Sequence, residues 1–377
     1  MNIMIVTPYF YPRRGGAENY AYNIAKILSE RGHDITIFTS GEVNSEENIA
    51  GLDIIRLKPN FRISNTPVRY NIISKISRII RERNIDIVNA HTPVPFYADM
   101  AALASKMSHR PFVLTYHNDP LKFSSYLKLL SVIYSKTLLR LTLKLSSRII
   151  TPSPYVYNES SFTEDYHEKM TWIPPAVDIE TYSPRDEDSI LKKILFVGAM
   201  NRGHDHKGVD VLLRAFKQVS ETYKDVRLVL VGTGDMVTHY QGMARELEIS
   251  EIVTFKGSVD EKTLIDIYRD SYALVLPTKT IAEGFGMVLI EANACGKPVI
   301  GSRIGGIKYV IKDGETGLLV PPGDPGALAD AIMKLLEDEE LAKKMGSKGR
   351  KMVEKNYTWD KAAKMTERIY REVVFDG

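Results

Sequence analysis

Cysteine is nearly absent from the sequence, with Cys295 the single one among 377 residues. One thiol forms no internal disulfide, and no group of cysteines and histidines has the spacing of zinc ligands. No apolar run reaches the ~18 residues of a membrane-spanning helix, and the chain start lacks the charged region and cleavage site of a signal peptide. We therefore expect a cytoplasmic protein of a reducing compartment.

Several ligand-binding signatures are also missing. The sequence has no P-loop and no complete G-x-G-x-x-G, because VGTGD (231–235) contains only a lone G-x-G. The missing fingerprint argues against an NAD-dependent oxidoreductase. His204 and His206 flank Asp205 in a loop, and Asp186-Glu187-Asp188 lies in a connecting segment, so neither predicts a metal site. Basic and aromatic residues do not interleave as on a nucleic-acid platform, so we expect no nucleic-acid partner.

The length of 377 residues predicts two or three domains, and 44% hydrophobic with 26% charged residues is typical of a soluble globular protein. Short apolar, β-branched runs alternate with helical patterns along the first half of the chain. The clearest helix is 17–31, with one apolar face and Gly32 as its C-cap. Strand, turn, helix and strand in this order predict a parallel sheet.

The alternation starts again near residue 193, after a proline-rich and charged segment without periodicity. We expect an N-terminal doubly wound domain (1–173), a linker (174–192), a C-terminal doubly wound domain (193–357) and a final helix (358–377) that could cross back to the N-terminal domain. Ligands of parallel sheets bind at the carboxyl ends of the strands. The chemistry should therefore lie in the loops that follow the strands.

The first such loop carries Gly15-Gly16 directly before the predicted helix. Paired glycines let backbone N–H groups approach an anion at a helix N-terminus, although a tight turn explains them equally well. The segment 277–302 holds Glu283 and Glu291 on either side of Gly284-Phe285-Gly286. This arrangement suits a diphosphate that joins a sugar to a nucleoside, and the alternative is two surface glutamates beside a helix start.

Several motifs in order resemble glycosyltransferase family 4, whose members are retaining enzymes of the GT-B fold. They are the E-x7-E segment (283–291), GLLVPPGDPGALADAI (317–332), the opening GGAENYAYNIAKILSERGHDITIFTS (15–40), HTPVPFYADMAAL (91–103), VLTYHND (113–119) and IPPAVDIETYSP (173–184). The resemblance implies an α/β protein of GT-B architecture, with two Rossmann-like, doubly wound parallel-sheet domains facing across a cleft. The N-terminal domain (1–173) would lie on the acceptor side, and the C-terminal domain (193–357) would bind the nucleotide sugar.

The same resemblance implies roles for individual residues. The catalytic set would be His117, pointing at the transferred sugar, Lys207, binding the diphosphate, and Glu283, holding sugar hydroxyls. Glu291 would bind the ribose, Val259 would lie near the base, and Gly16 would lie against the diphosphate. The donor-binding set in full is Gly15, Gly16, Arg202, Lys207, Val259, Glu283, Gly284, Phe285, Gly286 and Glu291.

Three positions depart from the family pattern. Ala199 stands where the family commonly has an arginine, so Arg202 either replaces that arginine at the diphosphate or is a solvated loop residue. Tyr309 stands where the family has an acidic residue. His117 is followed by Asn118 before Asp119, which leaves the hydrogen-bonding partner of His117 open.

The segment 120–158 contains no Asp or Glu, and basic residues recur in it at helical spacing. One reading is a basic amphipathic face, within 121–148, that contacts anionic lipid at the inner face of the membrane. The other is a core-facing helix with a lysine-rich outer face. If this face contacts the membrane, a lipid-linked glycan is favoured as the acceptor.

Together with these observations, the resemblance implies a metal-independent, retaining transferase that moves a hexose, such as mannose or glucose, to a glycan or lipid-linked glycan. The donor would be a UDP- or GDP-sugar, bound as a substrate, and no tightly bound cofactor is expected. The alternatives are a nucleotide-sugar epimerase on the same fold and a non-catalytic nucleotide-sugar-binding scaffold. The sequence leaves the base, the sugar, the acceptor and the oligomeric state open.

Overall fold

The computed structural model describes residues 1–13, 15–119, 126–185 and 192–375. The chain forms two compact units. Unit 1 consists of Met1–Pro175 together with Trp359–Gly377, and unit 2 is Ala176–Thr358. Part of the expected linker, 186–191, lies outside the described residues and includes the Asp186-Glu187-Asp188 motif. Among the described residues, no helix is both long and apolar enough to cross a membrane.

Unit 1 contains ten strands and seven α-helices within the described residues. The strands are β1 (Asn2–Val6), β2 (Asp34–Ser40), β3 (Ser45–Ile49), β4 (Leu52–Leu57), β5 (Phe61–Ile63), β6 (Thr66–Val68), β7 (Ile87–His91), β8 (Phe112–Thr115), β9 (Arg148–Thr151) and β10 (Met170–Trp172). The helices are α1 (Gly16–Glu30), α2 (Ile72–Glu82), α3 (Tyr97–Met107), α4 (Tyr126–Lys136), α5 (Leu138–Leu145), α6 (Pro154–Glu159) and α14 (Trp359–Phe375).

The main sheet of unit 1 has, within the described residues, the order β10-β9-β8-β7-β1-β2-β4-β3. All of these pairs are parallel except the antiparallel pair of β3 and β4, and Ile3 of β1 lies opposite Ile35 of β2 and Ile87 of β7. Because side chains alternate along a strand, Met4 packs in the core on one face and Ile5 in the core on the other. Helices therefore cover both faces of the sheet, as buried parallel strands require.

Unit 2 contains six strands and seven α-helices within the described residues. The strands are β11 (Lys192–Val197), β12 (Val226–Val231), β13 (Val253–Gly257), β14 (Ala273–Leu276), β15 (Val299–Ser302) and β16 (Gly317–Val320). The helices are α7 (Val209–Thr222), α8 (Val237–Glu246), α9 (Glu261–Asp270), α10 (Met287–Ala294), α11 (Ile307–Val310), α12 (Pro325–Glu337) and α13 (Glu339–Asn356). The sheet is parallel, in the order β13-β12-β11-β14-β15-β16.

Each main sheet has one point where the strand order reverses. In unit 1 the chain runs outward from β1 on one side and from β7 on the other, and in unit 2 it does so from β11 and β14. At such a point the loops after the two neighbouring strands diverge and leave a crevice at the carboxyl ends. The loops after β1, β7, β11 and β14 are therefore the ones in which a ligand site is expected.

The final helix, α14, belongs to unit 1 and packs against α1. Glu367 joins it to the N-terminal part of the chain, because its carboxylate lies 3.0 Å from Arg31 Nη1 and 3.1 Å from His33 Nε2. Arg371 on the same helix is 2.8 Å away. Burial raises the pKa of Glu367, but the hydrogen bonds from Arg371, Arg31 and His33 outweigh burial and lower this pKa to about 2.

We expect Glu367→Gln to lower the free energy of unfolding of unit 1 at neutral pH by about 2 kcal/mol. A carboxyl whose pKa is lowered by folding stabilises above its ordinary pKa of 4.5, and this contribution is lost as the pH falls towards about 2. The difference between variant and wild type should therefore shrink across that window. Both tryptophans, Trp172 and Trp359, lie in unit 1, so urea unfolding followed by tryptophan fluorescence reports this unit.

Glu372→Gln is the control, because Glu372 pairs on the same helix with Arg368, whose side chain is 82% exposed. Exposed pairs contribute little, so this variant should behave as wild type. A pH-independent difference for Glu367→Gln would contradict the assigned role of the carboxylate.

Candidate active site

The loops after β11 and β14 bring together two residues of the expected catalytic set. Lys207 ends a 3₁₀ helix, Arg202–Lys207, and Glu283 lies in the loop before α10. Lys207 Nζ donates a hydrogen bond of 2.7 Å to Glu283 Oε2, and the two side chains are only 17% and 16% exposed. The residues are 76 positions apart in the chain. The reversal of strand order in unit 2 thus holds a cation and a carboxylate side by side.

A second cation, Lys279, joins the same two loops. Its Nζ lies 2.8 Å from Asp205 Oδ2 and 3.1 Å from Asp210 Oδ1, and its backbone N–H donates to the carbonyl oxygen of His206. Burial lowers the pKa of Lys279, but the hydrogen bonds to both aspartates outweigh it and raise this pKa. Lys279 keeps its charge and fastens the Lys207 loop to the β14 loop.

The sequence analysis missed Lys279. Its only signal was its place in the loop directly after β14, and its two aspartate partners lie about 70 residues earlier in the chain. No local pattern identifies partners at such a separation.

Gly208 lets the two loops approach each other. Its φ of +75° is in the left-handed region, and a Cβ at this position would lie 2.0 Å from the carbonyl oxygen of Pro277. Any side chain would push the loops apart, so glycine is required on both counts. The position of Lys207 depends on this contact with the β14 loop.

The loop that contains Glu283 is fixed by contacts with two other segments of unit 2 and leads into α10. The carbonyl oxygen of Glu283 accepts a hydrogen bond of 3.0 Å from the backbone N–H of Gly306. Phe285 is buried and packs edge-on against Tyr357, with ring centroids 5.7 Å apart. Gly286, at φ +85°, begins the turn into α10, whose N-terminus carries a partial positive charge. Glu283 and this helix start are therefore close together in one loop that a backbone hydrogen bond and a ring contact hold in place.

Glu291 has a different partner. It lies in α10 and accepts a hydrogen bond of 2.6 Å from the hydroxyl of Tyr268 in α9. Burial raises the pKa of Glu291, and the Tyr268 bond opposes this rise. The structure thus pairs Glu291 with Tyr268, whereas Glu283 pairs with Lys207.

In unit 1, His117 follows β8 and is buried beside a second histidine. Its Nε2 lies 3.0 Å from Nδ1 of His91, the last residue of β7, and Nε2 of His91 lies 2.9 Å from Asn89 Oδ1. Burial lowers the pKa of His117 to about 3 and the pKa of His91 well below its usual value. Both rings are neutral at physiological pH.

The partner of His117 is therefore His91, while Asp119 binds the hydroxyls of Tyr116 and Ser160 at 3.2 and 2.6 Å. The sequence analysis assigned no role to Asn89 or His91. The signal was the alternation of two polar residues with apolar ones in a strand that is otherwise suited to burial.

Two family models together match most of the chain. The model described as Glycosyltransferase Family 4 matches residues 14–181, and the one described as Glycosyl transferases group 1 matches residues 184–352. The chain belongs to glycosyltransferase family 4. The resemblance expected from the sequence motifs is thus confirmed, and the protein is a glycosyltransferase.

Curated relatives match over the whole length. N-acetyl-alpha-D-glucosaminyl L-malate synthase of Bacillus anthracis is 29% identical, with 97% of this chain and 96% of the relative covered. Phosphatidyl-myo-inositol mannosyltransferase of Mycobacterium leprae is 27% identical, with coverage of 100% and 98%. Among solved structures, Anabaena HepE in complex with UDP-glucose has a TM-score of 0.75 at 20% identity and covers 98% of this chain and 99% of that one. This likeness shows the fold, which is the two-domain α/β GT-B fold.

The remaining expected residues of this family 4 glycosyltransferase lie at different places. The Arg202 side chain is 86% exposed, and its Nε is 3.8 Å from Asp235 Oδ2. Val259 follows β13 and packs partly buried against the unit 2 core. Gly15 and Gly16 begin α1, and a Cβ on Gly16 would meet no described atom within 4 Å. Within the described residues, no cluster of three or more His, Cys, Asp or Glu has the geometry to hold a metal ion.

Gly208→Ala tests the contact between the two loops. The added Cβ would meet Pro277 and force a left-handed backbone on alanine, so we expect a loss of about 2 kcal/mol or more in the free energy of unfolding. Urea unfolding followed by circular dichroism measures this loss as a lower midpoint.

Gly242→Ala is the matched control, because Gly242 lies inside α8 and a Cβ there meets no described atom within 4 Å. Alanine should raise the midpoint there, by about 1 kcal/mol of stability, since it favours helix more than glycine does. Equal effects of the two substitutions would show that Gly208 is not constrained.

Proposed function

We propose that this glycosyltransferase moves a hexose, such as mannose or glucose, from a UDP- or GDP-sugar to a glycan or lipid-linked glycan. The transfer retains the anomeric configuration and uses no metal ion. The observation that carries the proposal is the largely buried Lys207–Glu283 pair at the carboxyl ends of β11 and β14.

Breaking the bond between a sugar and a diphosphate creates a positively charged, oxocarbenium-like sugar and an anionic leaving group. Fixed positive charges near that leaving group lower the barrier, because they are oriented before the reaction starts. Lys207 supplies such a charge, and the N-terminus of α10 adds a partial one. In the proposed reaction, Lys207 stabilises the departing nucleoside diphosphate.

Glu283 then has a complementary role. A buried carboxylate needs partners, and Lys207 provides one in this structure. When a diphosphate draws Lys207, the hydroxyls of the donor sugar can donate to the Glu283 oxygens instead. The pair therefore exchanges one set of partners for another, and neither charge is left buried alone.

The proposed reaction needs no protein nucleophile. The acceptor hydroxyl oxygen forms a bond to the anomeric carbon on the face from which the diphosphate leaves. The bond between that carbon and the phosphate oxygen breaks, and its electron pair stays on the diphosphate. The acceptor proton passes to a phosphate oxygen. Atoms and charges balance, and the new bond has the configuration of the old one.

The relatives support a hexosyl donor. Their names include a glucosaminyl and a mannosyl group, and HepE was solved with UDP-glucose. Identities below 30% do not carry the acceptor over to this chain. The acceptor class is proposed instead from unit 1, in which α4 and α5 present a basic and apolar surface.

That surface, called here the α4–α5 face, lies on the side of these helices that is turned away from the core. Its exposed members recur at helical spacing and are Leu129, Val132, Ile133, Lys136, Arg140 and Lys144. Residues 121–125 of the expected membrane segment lie outside the described residues. Apolar side chains beside cations suit the boundary of an anionic bilayer. We assign the α4–α5 face to such a membrane, which would bring a lipid-linked acceptor within reach.

A thermal-shift and activity series tests the donor site. A nucleoside diphosphate that binds only the native state should raise the melting temperature of the wild type by mass action. Lys207→Met should remove most of that shift and lower kcat by about 100-fold or more, because the leaving group loses its cation. Glu283→Gln should lower kcat similarly but keep the shift with diphosphate.

Lys217→Met is the control, because Lys217 pairs on α7 with Glu221, whose side chain is 62% exposed. It should change neither the shift nor the rate. Wild-type rates in Lys207→Met or Glu283→Gln would contradict the assigned site. Release of an epimerised sugar nucleotide in the absence of acceptor would favour the epimerase instead.

Vesicle sedimentation tests the α4–α5 face. The double variant Lys136→Glu with Arg140→Glu should bind phosphatidylglycerol vesicles roughly 30-fold or more weakly, since each surface cation contributes about 1 kcal/mol. The control, Lys344→Glu with Lys348→Glu, makes the same change of charge on α13 in unit 2. Equal weakening in both would indicate a net-charge effect and contradict the assigned surface.

A further inference from the structure

The polar groups that lead from β7 to His117 fix the positions of protons along a chain of three side chains. The chain begins at Asn89, whose Nδ2 lies 3.1 Å from the carbonyl oxygen of Val113 and 2.9 Å from Thr115 Oγ1. A backbone carbonyl only accepts hydrogen bonds, so the amide atom beside it must be the NH₂ group. The Asn89 oxygen therefore faces His91.

An amide oxygen also only accepts, and this determines the protonation of His91. Nε2 of His91, 2.9 Å from Asn89 Oδ1, must carry a hydrogen and donate it. The ring is buried and its low pKa keeps it neutral, so its other nitrogen has no hydrogen. Nδ1 of His91 is consequently a lone-pair acceptor.

The hydrogen bond between His91 and His117 determines which nitrogen of His117 is protonated. Nε2 of His117 lies 3.0 Å from Nδ1 of His91, and one of the two nitrogens must donate. Because His91 Nδ1 accepts, His117 Nε2 carries the hydrogen, and the lone pair of the neutral His117 ring is on Nδ1. The orientation of one asparagine amide thus sets which nitrogen of His117 is the acceptor.

The His117 ring is also fixed in place. Its backbone N–H donates to Thr92 Oγ1 at 3.3 Å, and the Tyr20 ring packs edge-on against it, with centroids 5.4 Å apart. Two titratable side chains lie against this ring, His91 from β7 and Tyr20 from α1. Burial raises the pKa of Tyr20, so Tyr20 stays uncharged and offers no competing ion.

We propose that Asn89 and His91 are positioning residues that fix His117 as the Nε2–H tautomer, so that its Nδ1 accepts a hydrogen bond from a hydroxyl group of the transferred sugar. This inference rests on the proposed function. Two acceptors repel, so an unprotonated Nδ1 is unsuited to a phosphate oxygen. The tautomer therefore selects a neutral hydroxyl as the partner of His117 and leaves the diphosphate to the cations of unit 2.

Nitrogen-15 NMR of the full chain labelled at histidine tests the tautomer directly. Long-range correlations between ring nitrogens and ring protons distinguish the two neutral forms, and the variants His91→Phe and His117→Phe assign the signals. Both histidines should show hydrogen on Nε2. A His117 signal with hydrogen on Nδ1, or a charged ring at neutral pH, would overturn the proposal.

Kinetics test the consequence for sugar transfer. In His91→Phe, the Nε2–H group of His117 loses its acceptor, and the other tautomer becomes favoured because it buries no unpaired donor. We expect kcat to fall by about tenfold or more, with KM for the nucleotide sugar and the melting-temperature shift with diphosphate unchanged. His91→Asn should restore most of kcat, because its Oδ1 replaces the acceptor Nδ1.

His33→Phe is the matched control, since His33 is also a buried histidine of unit 1 but binds Glu367 on α14. It should lower stability without changing the His117 spectrum or kcat. Equal kcat in His91→Phe and wild type would contradict the positioning role. If the wild type transfers no sugar, the proposed function is wrong, whereas the spectra, which need no substrate, still decide the tautomer.

Discussion

Parallel pairing of the strands is the constraint on which the rest of this structure depends. In a parallel ladder, every strand delivers its carboxyl end to the same edge of the sheet, so chain segments far apart in sequence meet there. Lys207 and Glu283 meet because β11 and β14 are neighbours, and His91 and His117 meet because β7 and β8 are. The hydrophobic side chains of these strands carry no chemistry. The role of the strands is to bring these four polar residues together in two pairs of fixed geometry.

Charges at such an edge are costly unless they are paired, and unit 2 pairs them across loops. Lys279 with Asp205 and Asp210 is a structural link, while Lys207 with Glu283 is a pair whose partners a ligand could replace. A buried pair gains little net stability over an apolar contact of the same size. In the proposed function, the second pair therefore serves binding rather than folding. The Gly208 contact with Pro277 keeps the two loops close enough for both pairs to form.

The sequence predicted the local features and missed the long-range ones. Helix α1 was expected at 17–31 and is observed at Gly16–Glu30. It could be predicted because its apolar face and its C-terminal glycine are features of one continuous stretch of sequence. The fold class was also predicted correctly. Lys279, Asn89, His91 and Tyr268 were not identified as site residues, since each acquires its role from a partner 23 to 74 residues away. Burial of both histidines, which sets their charge, is likewise a property of the folded chain.

The two units contribute opposite kinds of polar environment. Unit 2 collects ions, with lysines beside carboxylates. In the proposed function, the lysine cation is the group that recognises the phosphate. Unit 1 buries neutral rings linked to an amide, with both histidines held uncharged by desolvation. A neutral acceptor recognises a hydroxyl by direction rather than by charge, so its hydrogen must be on the correct nitrogen. An arginine or lysine in place of His117 would bring a charge into this desolvated site and would lack an acceptor for the hydroxyl. In the proposed reaction, unit 2 therefore contributes charge at the leaving group, and unit 1 contributes orientation at the sugar.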